Sequence, residues 1–297
     1  MRIGLGFFCS TSDNKLSTNH GIRVRNINEE RLLRVFKRNV RDLIKLLELS
    51  RSMNLKIFRL GSGFIPLATH PQFKQDWFNV IEKILRELAY TVRSYGIRIT
   101  MHPGQYVVLN SPKENIINKS LAELKYHFWI LDTFNLGEES VVVTHVGGVY
   151  GDKAKAVKRL ESTLENNRWV MRRLALENDE KFYSTSEVIE IAESFNIPVV
   201  FDYYHHMLNP SNFDLDRLLS TWRNIIPEIH LSSIPLRPHR FGEHGDYVDI
   251  KDFKKLISLF DEEQVIDIIV EAKKKEMAIA KLLEEIRKEG IKLFLRE

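Results

Sequence analysis

What most limits the folds open to this chain is an alternation that runs from one end to the other: short β-rich runs separated by longer segments of helical period. Eight runs can be read: IGLGFF (3–8), KIFRLG (56–61), RITMHP (98–103), SVVVTHVG (140–147), LALEND (174–179), PVVFDYYH (198–205), EIHLSS (228–233) and DIIVEAK (267–273). Between the first two, Leu32, Leu33, Phe36, Val40, Leu43, Ile44 and Leu47 recur at spacings of three and four, which predicts one buried helical face over 29–53. Segments 75–95, 116–134, 153–172, 186–196, 214–224, 250–260 and 275–289 continue the series. Ser184 and Thr185 are candidate N-caps for the stretch bracketed by Ser186 and Glu190, and Gly96, Gly137 and Gly290 are candidate stops.

Strands that alternate with helices pair in parallel, because each return crossing must pass over a face of the sheet. Neither a linker nor a repeat divides the chain, so residues 1–297 are expected to form one domain. Eight βα units of this length fit an α/β fold closed as a (β/α)8 TIM barrel better than an open doubly wound sheet. The glycine pair in GSG (61–63) leads into Phe-Ile-Pro and not into a helix, so it reads as a tight turn and no nucleotide cofactor is expected.

Composition narrows the chemistry. Hydrophobic residues at 43% and charged residues at 28% exclude a disordered chain, and no apolar run approaches the ~20 residues of a membrane span. The start, MRIGLGFFCSTSD, lacks the length and cleavage site of a signal peptide, so a cytoplasmic location is expected. With Cys9 as the single cysteine, any metal must be held by His, Asp or Glu. A net charge of 44 − 40 = +4 permits nucleic-acid binding without arguing for it.

Active sites of such barrels lie at the C-terminal ends of the strands. The third run ends in His102, the fourth in His145, the fifth in Glu177-Asn178-Asp179, and the sixth in Asp202 followed by His205 and His206. The seventh carries Glu228 and His230, and the eighth Glu271 and Lys273. A lone histidine or glutamate at a strand end is usually a packing residue or a solvated charge. Six consecutive strands converging on one mouth change the odds, because such a cluster is costly unless cations neutralise it. Period two places Glu228 with His230, Ala175 with Glu177, and Ile269 with Glu271 on shared faces, which points the polar groups inward. Imidazole and carboxylate ligands in this number suit several ions of Mn²⁺, Zn²⁺, Fe²⁺ or Co²⁺. Metal-assisted hydrolysis of a phosphate ester is one reading; sugar isomerisation between two ions would use a similar set. His127 reads as a packing residue, His20 and His239 lie in loops, and His206 must point away from His205. His70, after the second strand, could be a ligand, a phosphate contact or neither.

Longer motifs carry a resemblance. Phe64-Ile65-Pro66-Leu67-Ala68-Thr69-His70-Pro71, His102-Pro103-Gly104-Gln105-Tyr106, His145-Val146-Gly147-Gly148-Val149-Tyr150-Gly151, Leu174-Ala175-Leu176-Glu177-Asn178-Asp179, His205-His206-Met207-Leu208-Asn209-Pro210 and Val270-Glu271-Ala272-Lys273 span nearly the whole chain. With them the sequence resembles the ultraviolet damage endonucleases of DNA repair, which adopt this barrel and are related to the type IV apurinic endonucleases. The resemblance implies a Mn²⁺-dependent monomer with two or three divalent ions, Mg²⁺, Co²⁺ or Zn²⁺ being substitutes. It implies damaged duplex DNA as partner, nicked immediately 5′ of pyrimidine dimers, 6-4 photoproducts and abasic sites. Carried over by position, it implies one ion on His102, His145 and Glu177, a second bridged by Glu177 and held by Asp202, His230 and Glu271, and a third on His205 and His244. It also implies catalytic roles for Glu177, His70 and Lys273, and a lesion-probing pair Gln105-Tyr106.

The chain departs from that pattern in three places. Phe7 and Thr11 stand where the family has Tyr and Asn near the lesion, Glu228 replaces a Lys and becomes a possible further ligand, and the loop 9–26 is longer. Arg23, Arg25, Arg237 and Arg240, with Lys15 and Lys273, are candidate phosphate contacts. The alternatives are an apurinic endonuclease, a sugar isomerase, or a lesion-binding protein without turnover, which the intact ligand set argues against.

Overall fold

The computed structural model describes residues 1–292 and 294–296. Eight parallel strands close on themselves in chain order: β1 (Arg2–Phe8), β2 (Ile57–Leu60), β3 (Arg98–Met101), β4 (Val142–His145), β5 (Leu174–Glu177), β6 (Val199–Asp202), β7 (Glu228–Leu231) and β8 (Val265–Val270). β1 closes the ring by pairing Gly6 with Ile57 on one side and Leu5 with Ile268 on the other. A two-residue β9 (Phe294–Leu295), which the periodicity did not suggest, adds beside Arg2 and Ile3 at the foot of β1.

The outer layer is α1 (Glu29–Ser52), α2 (Gln75–Ser94), α3 (Glu114–Thr133), α4 (Lys153–Asn166), α5 (Thr185–Phe195), α6 (Tyr203–Leu208), α7 (Leu215–Ser220), α8 (Ile250–Ile257) and α9 (Lys275–Lys288). Asn28 starts α1 by accepting from Arg31 N at 2.9 Å, and Leu32, Phe36, Leu43, Leu46 and Leu47 form its buried face. Each such side chain contributes roughly 1.5–3 kcal/mol by leaving water. Ser184 caps α5 through a reciprocal box with Glu187, as its position suggested.

Several boundaries differ from those read in the sequence. The helix expected to run to 172 stops at Asn166 and is followed by one tighter turn, Arg168–Arg172. The segment expected at 214–224 is helical only over Leu215–Ser220. α3 ends at Thr133, and the chain turns at Asn135, in the left-handed region (φ 54°), two residues before Gly137. The sixth strand, expected to reach His205, ends at Asp202, because the Asp202 carboxylate accepts from His205 N at 2.7 Å and caps α6 at once.

The main core fills the space between strands and helices. Inside the barrel, Val143, Ala175 and Val200 pack with Trp222, whose indole Nε1 donates to Val199 O at 2.7 Å. Above Trp222 the barrel holds charge instead of hydrocarbon. Arg98 lies 5.2 Å over the Trp222 ring and sits 3.3 Å from Asp267 and 3.7 Å from Glu228. Arg296, just after β9, reaches Asp267 at 3.0 Å. Gly4 makes room for this layer: a Cβ there would lie 2.1 Å from Asp267 Oδ1.

Candidate metal centre

One layer above, at the C-terminal ends of the strands, the buried carboxylate of Glu177 lies among four imidazoles and two further acids. His102 Nε2 is 2.8 Å from Glu177 Oε2, His145 Nε2 is 3.5 Å from the same oxygen, and His230 Nδ1 donates to Oε1 at 2.5 Å. Three sets of potential ligand atoms lie within 4.8 Å of one another: His102, His145 and Glu177; Glu177, Asp202 and His205; and Glu177, His230 and Glu271. Glu177 belongs to all three. His244 stands at the edge, its Nδ1 3.7 Å from Glu271 Oε2.

The carboxylates at this mouth hold neighbouring imidazoles protonated. Burial works against a charge on His205, but Asp202, Glu177, Glu271 and Glu180 outweigh it and push its imidazolium up to about 9. Burial raises the Asp202 carboxyl above its ordinary range. Burial would raise Glu177 too, yet His230 and His145, with hydrogen bonds from His102 and His230, hold it well below. Asp202 Oδ2, His145 Nδ1 and His244 Nδ1 are buried without a hydrogen-bond partner. Acid and imidazole ligand atoms gathered within 4.8 Å of one another, with Asp202 Oδ2 left unpaired, fit divalent cations, and the donor set is the one expected for Mn²⁺ or its borderline neighbours.

The grouping refines the expectation. Asp202 sits with His205 and not with His230 and Glu271, because α6 starts at Asp202 and returns His205 three residues later to the same side. Glu228 is in none of the three groups. It lies beneath His230, 3.1 Å from Nε2, accepts from Thr100 Oγ1 at 3.2 Å, and faces Arg98 and Arg59. Arg59, near the end of β2, went unremarked in the sequence. Its guanidinium reaches both Glu271 Oε1 and His230 Nε2. Only the parity of β2 could have flagged it.

Other expected site residues fall elsewhere. Phe7 is 0% exposed and packs edge-to-face on Phe58, 5.4 Å between centroids, so it faces the helices and cannot stack on a base. Thr11 is buried and donates its hydroxyl hydrogen to Asp13 Oδ1 at 2.8 Å, closing its own loop. His70 is half-buried in the loop after β2, outside every ligand group, and its Nδ1 accepts from Gln72 N. Lys273 turns outward to Glu243 at 2.5 Å. His20 pairs with Asp42 and His206 with Thr185, both away from the mouth, and His127 is buried with Nδ1 on Glu123 O. Arg23, Arg25, Arg237 and Arg240 are exposed.

Gln105 and Tyr106 project from the loop after β3. Gln105 lines a cavity of about 220 Å³ with His102, His145, Asp179 and Phe182. Tyr106, 61% exposed, lines a separate groove with His70 and Glu123. A Cβ on Gly104 would meet the Tyr106 ring at 2.5 Å, so only glycine lets the ring lie back over the loop.

The UV-endonuclease UvdE family matches residues 12–295. The chain belongs to that family. It is 33% identical over 266 residues to a UV DNA damage endonuclease of Bacillus cereus strain G9842, covering 87% of this chain and 84% of the relative. A Bacillus mycoides protein of the same name is 32% identical over the same length. The crystal structure of SacUVDE superposes with a TM-score of 0.86 at 30% identity, covering 98% of this chain and 99% of that one. A xylose isomerase domain protein from Planctomyces limnophilus, at 15% identity and a TM-score of 0.55, shares the fold alone. Membership makes this UvdE chain a DNA-repair endonuclease, and no helix among its described residues is long and apolar enough to cross a membrane.

Proposed function

We propose that this UvdE chain hydrolyses the phosphodiester immediately 5′ of ultraviolet photoproducts, and that it acts on abasic sites as well. The observation that carries the reading is the three-way sharing of buried Glu177 by converging imidazole and carboxylate groups at the barrel mouth. His102, His145, Asp202, His205, His230 and Glu271, with His244 at the edge, would hold two or three divalent cations, Mn²⁺ foremost. Such cations would supply Lewis acidity to a phosphodiester oxygen and to the attacking water.

The rest falls to the chain's own side chains. Glu177 fixes the spacing of the three groups, since both its oxygens are engaged by imidazoles from different strands. Asn178 aims the pair beside it: its side chain exchanges hydrogen bonds with the Asp202 backbone, and its carbonyl accepts from His205 Nδ1 at 3.1 Å. Arg59 holds Glu271 and His230 in place and offsets negative charge at the inner edge of the centre. Gln105 stands over the cavity beside the cluster, where it can hydrogen-bond exposed base edges, while Tyr106 offers a stacking face. Arg23, Arg25, Arg237 and Arg240 would meet phosphates, and the protein works as a monomer.

The test is incision of supercoiled plasmid, untreated, irradiated or depurinated, with Mn²⁺ or with EDTA. Mn²⁺-dependent nicks in both damaged plasmids, mapped 5′ of the lesion, are the expected result. Cutting of depurinated DNA alone would replace the reading with an apurinic endonuclease.

A further inference from the structure

The loop between β7 and α8, residues 232–249, carries more exposed apolar surface than a surface connection requires. Leu236 is fully exposed, and Ile234 and Phe241 are 55% and 64% exposed. Single exposed apolar side chains mean little, but three on one loop, with Arg237 and Arg240 between them, form an apolar ridge flanked by two guanidinium groups.

The loop is also held in shape. Gly245 N donates to Ser233 O at 2.7 Å, and Tyr204 Oη donates to Glu243 O at 2.9 Å. The Glu243 carboxylate accepts from His239 N at 2.7 Å and from Lys273 at 2.5 Å. Pro235 and Pro238 fix φ on either side of Leu236-Arg237, which stiffens the apex that carries the leucine. The same loop delivers His244 to the metal centre, so its base is continuous with the place where the scissile phosphate must lie. In a closed ring of eight, β7 and β3 stand four strands apart, which sets the Leu236 loop and the Gln105-Tyr106 loop on opposite rims with Glu177 between them.

We propose that Leu236 is a second duplex-probing residue, an apolar wedge that enters the base stack from the rim opposite Tyr106 while Arg237 and Arg240 hold the flanking phosphates. Apolar side chains inserted between base steps unstack and kink a duplex, and flanking arginines supply the backbone attraction such insertion needs. Two wedges on opposite rims would bend damaged DNA, whose stacking is already weakened, more readily than intact DNA. The proposal rests on the DNA reading above.

The experiment compares kcat/KM for incision of one photodimer in two settings, a fully paired duplex and the same lesion inside a short unpaired bubble, where unstacking is already complete. Leu236→Ala is expected to lose roughly tenfold on the paired duplex, mainly in KM, and less than about twofold on the bubble. Leu236→Met keeps the wedge and is expected to stay near wild type on both. Arg237→Ala with Arg240→Ala is expected to lose on both substrates alike and to flatten the salt dependence. Equal loss by Leu236→Ala on both substrates, or no loss on the paired duplex, overturns the wedge while the DNA reading stands. Failure of the wild-type enzyme to cut either substrate overturns the DNA reading, and the wedge falls with it.

Discussion

Two layers of buried charge lie within one barrel, and they are built differently. On the floor, every carboxylate faces a guanidinium: Glu228 faces Arg98 and Arg59, and Asp267 faces Arg98 and Arg296. At the mouth, Glu177 and Asp202 face imidazoles instead. Arginine carries a permanent charge in a rigid fork, so each floor carboxylate has a fixed countercharge beside it, although Arg98 Nη2, Glu228 Oε2, Asp267 Oδ1 and Arg296 Nε are buried without a hydrogen-bond partner. Imidazole can release its proton and bind through a lone pair, so the mouth can exchange protons for cations. The difference separates a layer of fixed ion pairs from a layer whose imidazoles can ligate a metal, and the floor is the more deeply buried of the two: the side chains of Glu228 and Asp267 are 0% exposed, those of Glu271, His102 and His145 14%, 15% and 18%.

The most severe break is Glu177→Ala. Because Glu177 serves all three ligand groups, incision is expected to fall by roughly a thousandfold or more while much of the damaged-DNA binding persists. Near-normal turnover in a single-turnover assay would remove Glu177 from the centre. On the floor, Arg98→Leu leaves Asp267 and Glu228 each short of a buried partner and is expected to cost about 3–5 kcal/mol in urea unfolding. The two layers are distinct only if that variant still responds to Mn²⁺.

That response is the third measure. Saturating Mn²⁺ is expected to stabilise the wild type by about 3 kcal/mol at a hundredfold excess over Kd, and to shift Tm of Glu177→Ala far less. An equal shift in both would place the binding elsewhere. A smaller effect concerns pH in EDTA, where two buried histidines move in opposite directions. His205 is raised to about 9, so its contribution is full below about 6.5 and is lost as pH rises toward 9. Burial lowers His127 to about 4, so its contribution is present above about 6.5 and is lost as pH falls toward 4. Urea midpoints should therefore peak near neutrality, and His127→Gln should flatten the acid limb alone. The mildest change is Tyr106→Ala, expected to weaken discrimination of lesions more than binding to undamaged duplex; equal loss on both would make Tyr106 a packing residue of its loop.

Much of this was legible because period and spacing are local properties. Hydrophobic recurrence located all eight barrel strands and the main helices, and strand-end position located His102, His145, Glu177, His230 and Glu271. Parity was harder. Phe7 and Phe8 are adjacent aromatics, and only the β1 register turns Phe7 outward to Phe58 and leaves Phe8 near Arg59 and Lys275. The resemblance implied a catalytic role for Lys273, but Glu243, thirty positions earlier, claims its ammonium.

By itself the sequence determined the closed alternation of strand and helix and the residue types at the mouth, because both follow from local period and from which atoms can ligate a metal. The tertiary structure alone decided which ligands share a partner, that Glu228 belongs to the floor, that Arg59 belongs to the mouth, and that Arg296 seals the barrel from the far end of the chain. Those outcomes depend on distances between residues from different strands, and only the closure and stagger of the barrel set them.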